Sequence, residues 1–324
     1  MMDDGGKALP RYDELPAAAH GGRSGWGLFG ADDSVGLLNL QTPDRILAAT
    51  QLVRKGAVFP LDAALDGIDP PVDPDRGLPR HRLIHQVEPG LQALDDVFDN
   101  FYPQGSSQWD SLAHIAYSRG VFYNGATDED VLSGRRNTID YWARRGIVGR
   151  AIVLDVQRVL ASDGGYSPDG ANALSIADLE RARVQAGVSY SPGCIVLLHT
   201  GFVGWYQSQP RTVRTKVAHD LHAPGIEHTE EMAGYLWDSG IMAVASDTFA
   251  VEVWPPDFSQ DAFPFGFLHR VLIGQFGMAL GELWWLDDLA DDCAQDGVYE
   301  CLLTSAPLNA KGGIGSPPNA LAIK

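Results

Sequence analysis

Residues 104 to 114 read Gln104-Gly105-Ser106-Ser107-Gln108-Trp109-Asp110-Ser111-Leu112-Ala113-His114, the densest run of groups able to act on a substrate. Gln104, Gln108, Asp110 and His114 stand at even offsets, so an extended backbone turns all four to one side. A straight strand would spread them over roughly 33 Å, too far to meet at one ion. A turn at Gly105-Ser106-Ser107 would fold Gln104 back beside Asp110. One carboxylate, one imidazole and two amide oxygens would then converge. The bland alternative is a polar turn with a satisfied histidine, and spacing alone leaves both open.

His199 closes the apolar run Cys194 to His199, at a strand end where α/β folds place active-site groups. It reads either as a pocket-lining imidazole or as a satisfied strand-end histidine. Asp247 follows the run Ile241 to Ala245 and either anchors its loop through an Asx-type turn or faces the pocket. His219, His222 and His228, interspersed with Glu227, Glu230 and Glu231, are unevenly spaced and suit a loop over a pocket better than a second metal cluster. Trp254-Pro255-Pro256 and Phe263-Pro264-Phe265-Gly266-Phe267 form an aromatic connection that needs a partner, either as a lid or against another subunit.

The elements that must position these groups are legible in outline. Thr42-Pro43-Asp44 supplies an N-cap, a first-turn proline and an acid for a helix that Gly56 stops. Ser175 and Asp178 form a capping box opening a helix that ends at Gly187. A third helix is expected over Glu230 to Asp238. Ala151 to Val156, Cys194 to His199 and Ile241 to Ala245 read as strands buried on both faces, with a late strand at Tyr299 to Thr304. Strand and helix alternate after residue 150, which is an α/β pattern. Asp66 to Pro79 reads as a surface excursion within one domain spanning residues 1–324, with about the first 25 residues as an extension.

The net charge of −18 over 324 residues argues against nucleic acid and anionic membranes as partners, since both require clustered cations. No stretch approaches the roughly 18 apolar residues of a membrane span. The start carries no pattern of a secretory signal, and the three cysteines form no CxxC pair, so the expectation is a cytoplasmic protein with structural thiols. GxSxG and GxxxxGK[ST] are lacking, which disfavours serine hydrolases and P-loop enzymes; Gly25-Trp26-Gly27-Leu28-Phe29-Gly30 has the GxGxxG spacing but no apolar strand run before it, so a dinucleotide enzyme is disfavoured as well.

The 104–114 segment resembles, without a gap, the motif His-x-Gly-Thr-His-x-Asp-x-Pro-x-His of the cyclase family, which includes kynurenine formamidase-like and isatin hydrolase-like metal-dependent hydrolases. Asp110 and His114 match. Gln104 and Gln108 stand at the two metal-ligating histidines, Ser106-Ser107 replace Gly-Thr, and Leu112 replaces Pro. The resemblance continues through Asp32 to Gly36, Leu38-Asn39-Leu40, Phe122 to Gly125, Arg145-Gly146-Ile147, Leu198 to Gly201, Pro224-Gly225-Ile226, Ser246-Asp247-Thr248 and Gly313 to Pro317.

It implies an α/β fold with a central, partly barrel-like mixed sheet flanked by helices, and a homo-oligomer acting on a small molecule. It also implies a second part of the metal site from His269 and Glu282, with Asp110 bridging. A Zn²⁺ or Mn²⁺ ion so held would lower the pKa of bound water toward about 7 and polarise a carbonyl. His114 would carry the proton, and Trp109 would offer a wall for a planar substrate. Amide oxygens in place of imidazoles favour a harder ion, weak occupancy or no metal. The expected function is metal-assisted hydrolysis or cyclisation at an amide, lactone or ester of a small, aromatic or polyketide-like molecule. Its rivals are a metal-free cyclase or lyase using Asp110 and His114, and an inactive ligand-binding homologue.

Overall fold

Thr42 accepts from the backbone N–H of Arg45, and Pro43–Thr50 follows as a helix, shorter than the sequence suggests because the chain turns at Gln51 rather than at Gly56. Ser175 and Asp178 cap the helix Ile176–Gln185 reciprocally, and Glu230–Asp238 is helical as expected. These observations come from a computed structural model that describes residues 9–324; the first part of the expected N-terminal extension lies outside the described residues. The remainder of that extension packs on the body: Trp237 Nε1 donates to the Pro10 carbonyl at 2.9 Å, and the Tyr12 N–H donates to Asp238 at 2.6 Å.

The strands in chain order are β1 (Val58–Pro60), β2 (Arg80–Glu88), β3 (Leu91–Asp99), β4 (Gln108–Asp110), β5 (Ile147–Asp155), β6 (Ala173–Leu174), β7 (Cys194–His199), β8 (Gly225–Ile226), β9 (Ile241–Ser246), β10 (Ala279–Glu282), β11 (Glu300–Ser305), β12 (Gly315–Ser316) and β13 (Ala320–Ile323). Nine of them form one mixed sheet in the order β1-β13-β11-β5-β7-β9-β10-β4-β12. β5, β7, β9 and β10 run parallel, and the flanking strands pair antiparallel. The sheet curls into a half-barrel flanked by helices.

Parallel strands covered on both faces must be apolar throughout, and β7 and β9 are buried along their whole length. Burying each large aliphatic side chain contributes roughly 1.5–3 kcal/mol. That makes the parallel strands a rigid floor, and the chemistry-bearing residues sit at its carboxyl edge.

The excursion after Asp66 leads into a hairpin that the sequence reading did not anticipate. β2 and β3 pair over nine residues around a Pro89-Gly90 turn, with Gly90 at φ +84°. Leu83, Val87, Leu94 and Phe98 are exposed on this ribbon, so neither face shows the alternation of a half-buried strand.

Candidate active site

β4 is three residues long and buried throughout. Its pleat turns Gln108 and Asp110 to one face and Trp109 to the other. Antiparallel pairing with β10 sets Glu282 directly across from Gln108, and Gly281 across from Trp109. Any side chain at Gly281 would crowd the indole of Trp284, whose Nε1 donates to the Gln108 carbonyl at 2.9 Å.

Trp109 therefore points into the core. It lies edge-on to Trp284 (4.8 Å) and Trp142 (6.4 Å), and its Nε1 donates to Ser305 Oγ at 2.9 Å. The expected substrate wall is thus corrected: an odd position on a strand faces away from the even positions that carry the chemistry.

His269 opens the short helix His269–Leu272 and brings its Nε2 to 3.0 Å from Glu282 Oε1. Glu252 holds the other ring nitrogen, Nδ1, and also accepts from the backbone N–H groups of Leu268 and His269. His228 Nε2 approaches the second Glu252 oxygen at 3.1 Å, and Phe267 stacks on the His269 ring at 4.8 Å. The aromatic connection thus covers this site from one side. Of the three histidines read as a loop, His228 reaches the site, whereas His222 is exposed and His219 ends the helix Arg211–His219.

Ligand atoms of Asp110, His269 and Glu282 all lie within 4.8 Å of one another. All three side chains are buried, and Asp110 Oδ2 has no hydrogen-bond partner among the described residues. A buried carboxylate oxygen left without a donor is costly. Burial raises the Asp110 pKa, opposed by the nearby His114. Burial also acts to raise that of Glu282, but its contact with His269 outweighs this and holds it below the ordinary value. For His269 burial pulls the pKa down, and the two glutamates overcome it and push it up to about 10.

An oxygen–nitrogen–oxygen donor set with one unpartnered carboxylate oxygen suits a divalent ion. The Glu252–His269 contact is the carboxylate support that metal-binding imidazoles receive on their distal nitrogen.

The glutamines are oriented differently from the expectation. Gln108 Nε2 donates to Glu282 Oε2 at 2.8 Å, while its Oε1 accepts from Arg76 at 3.2 Å. A carboxylate only accepts and a guanidinium only donates, so these neighbours fix which way the amide lies. Gln104 Nε2 donates to Asp110 Oδ1 and lies 3.1 Å from His114 Nδ1. Both amides therefore offer hydrogen rather than oxygen to the carboxylates, and their reading as ligands is corrected on that ground.

His114 Nε2 lies 3.8 Å from Asp110 Oδ1, and its side chain is 21% exposed, which gives it access to solvent. Arg76 comes from the excursion before β2, where Asp73 holds it at 3.0 Å. It was missed in the sequence, and only its charge within a Pro- and Asp-rich loop could have marked it.

His199 and Asp247 are not beside Asp110. They form a separate cluster with Asp155 and Asp287 at the ends of β5, β7 and β9.

The family model described as "Putative cyclase" matches residues 67–253. The chain belongs to the cyclase family. A crystal structure described as a novel cyclase is 31% identical, with a TM-score of 0.82, covering 93% of this chain and 99% of that one. Isatin hydrolase A from Labrenzia aggregata, bound to benzyl benzoate, is 18% identical at a TM-score of 0.55, covering 86% and 97%. An isatin hydrolase bound to the product analogue thioisatinate is 16% identical at 0.53, covering 87% and 98%. These two show a shared fold. No curated protein matches the chain. Among the described residues no helix is long and apolar enough to cross a membrane.

Proposed function

We propose that this cyclase-family protein is a hydrolase that opens an amide, lactone or ester bond in a small molecule, using one divalent ion held by Asp110, His269 and Glu282. The observation that carries the reading is the convergence of these three buried side chains around an unpartnered Asp110 oxygen. Such an ion, Zn²⁺ or Mn²⁺ by its donor set, supplies an activated water and a Lewis acid for the carbonyl.

The chain's own groups have the complementary tasks. Glu252 fixes the His269 ring, and Phe267 excludes water from it. Gln104 and Gln108 hold the carboxylates in place through their amide hydrogens. His114, partly open to solvent and beside Asp110, takes a proton from the attacking water and returns it to the leaving group. The isatin hydrolases of similar fold suggest a cyclic amide fused to an aromatic ring as a first substrate class.

One observation favours a second reading. The amide hydrogens of Gln104 and Gln108 already serve the carboxylates that a cation would otherwise neutralise, which suits a metal-free enzyme with Asp110 and His114 as acid and base. Elemental analysis and turnover of isatin, anilides and lactones, with and without chelator, separate the two. Chelator-sensitive turnover restored by Mn²⁺ or Zn²⁺, and abolished in Glu282→Gln, supports the first. Chelator-resistant turnover lost in His114→Ala supports the second. No turnover of any member of the panel would count against both.

A further inference from the structure

The parallel strands carry a second group of buried donors. His199 ends β7, Asp155 ends β5, Asp247 follows β9, and Asp287 begins the helix Asp287–Asp296. His199 lies between β5 and β9, two strand spacings, or about 10 Å, along the sheet from β10 and its Glu282.

The His199 Nδ1 is 2.9 Å from Asp155 Oδ1, and Asp155 is itself held by the Arg158 guanidinium at 2.7 Å. The Nε2 lies 3.2 Å from Asp287 Oδ1 and 3.8 Å from Asp247 Oδ2. Nε2 carries at most one hydrogen, yet two carboxylates converge on it. Asp247 is fixed in turn by the Thr200 N–H (2.6 Å), the Thr200 hydroxyl (2.8 Å) and the Gly201 N–H (2.7 Å). Asp287 reaches the group because position 204 is glycine; a Cβ there would collide with its carboxylate. Three ligand atoms, from His199, Asp247 and Asp287, lie within 4.8 Å of one another. His199 and Asp247 are buried, while the Asp287 side chain is 36% exposed and opens the group to solvent.

We infer that His199, Asp247 and Asp287 form a second divalent transition-metal site, separate from the Asp110 cluster, with Asp155 orienting the imidazole. Separations of 3.2 and 3.8 Å from Nε2 are those of neighbouring ligands each about 2.0–2.2 Å from one ion. The carboxylate–imidazole–ion order is the usual support for a metal-bound histidine. Imidazole with two carboxylates selects Zn²⁺ or Mn²⁺ over Mg²⁺ and Ca²⁺.

Zn²⁺ and Mn²⁺ titrations by calorimetry on chelator-stripped protein test this, beside anomalous diffraction from zinc-soaked crystals of the wild type. Asp287→Ala, at a part-exposed position, should lose one equivalent of ion and keep the one that Glu282→Gln removes. An anomalous peak between His199, Asp247 and Asp287 is expected whether or not the Asp110 cluster binds metal, so failure at one site is distinguishable from failure at the other. Unchanged stoichiometry in Asp287→Ala, or no peak within about 3 Å of His199 Nε2 in the wild type (about 2.0–2.2 Å being the bonded distance), would overturn the assignment.

Discussion

Replacing Gln108 by leucine asks whether its amide is a hydrogen donor or a metal ligand. Its two bonds run to charged partners, Glu282 at 2.8 Å and Arg76 at 3.2 Å. A hydrogen bond to a charged group contributes about 1.5–3 kcal/mol. Arg76 keeps Asp73 and the Gln104 carbonyl, so most of the loss falls on Glu282, which among the described residues keeps only His269. In chelator the variant should be about 2 kcal/mol less stable, a fall in Tm of about 3 °C for a chain of this size. At an ion concentration of about 100 times Kd, binding to the native state adds about 2.7 kcal/mol. Since Gln108→Leu removes no ligand, that increment should survive, and the gap to the wild type should narrow because the ion neutralises Glu282. Differential scanning calorimetry with chelator and with Mn²⁺ measures both. If the variant, compared in an Asp287→Ala background that lacks the second ion, loses most of the metal-induced rise in Tm, Gln108 is a ligand and the amide orientation described above is wrong.

Trp109→Phe should cost about 2 kcal/mol in urea denaturation, from the lost contact with Ser305 and the space left by the indole, while leaving KM for any turned-over substrate unchanged; a raised KM at unaltered stability would restore Trp109 to the substrate wall. The pH profile of the metal-free protein follows from His199 and His269, whose pKa values rise from 6.5 to about 10 in the fold. A raised folded-state value contributes stability that is fully present below about pH 6.5 and lost as pH climbs through about 10. Chemical denaturation in chelator should therefore show a decline from about pH 7 to about pH 10, and a flat profile would contradict the ion-paired imidazoles.

Legibility in the sequence differs from element to element. The central strands announce themselves because burial on both faces demands unbroken apolar runs, and three helices announce themselves through Thr42, Ser175 and the acids following Thr229. The β2–β3 ribbon gives no such signal: it buries neither face, so nothing selects an alternating pattern. Asp110 was reachable through the family motif and His269 and Glu282 through the wider family resemblance, and the structure brings the three together. Glu252 and Arg76 were not, since each acts through a partner far away in sequence. The glutamines were legible as residues but not as orientations, because an amide takes its direction from neighbours that only folding supplies.

The short strand β4 has a consequence for how this centre can vary. Gln108 and Asp110 serve the site while Trp109, between them, serves the core, and the Leu280, Gly281 and Glu282 partners lock that phase. Exchanging a side chain leaves the phase intact, so imidazole and amide can replace one another over evolutionary time. Inserting a single residue between Gln108 and Trp109 would move the rest of the strand by one step, driving an indole into the catalytic cluster and a carboxylate into the apolar interior. Natural divergence and laboratory libraries alike should therefore explore this segment by substitution at constant length, and length variants should be purged before any activity is ever screened.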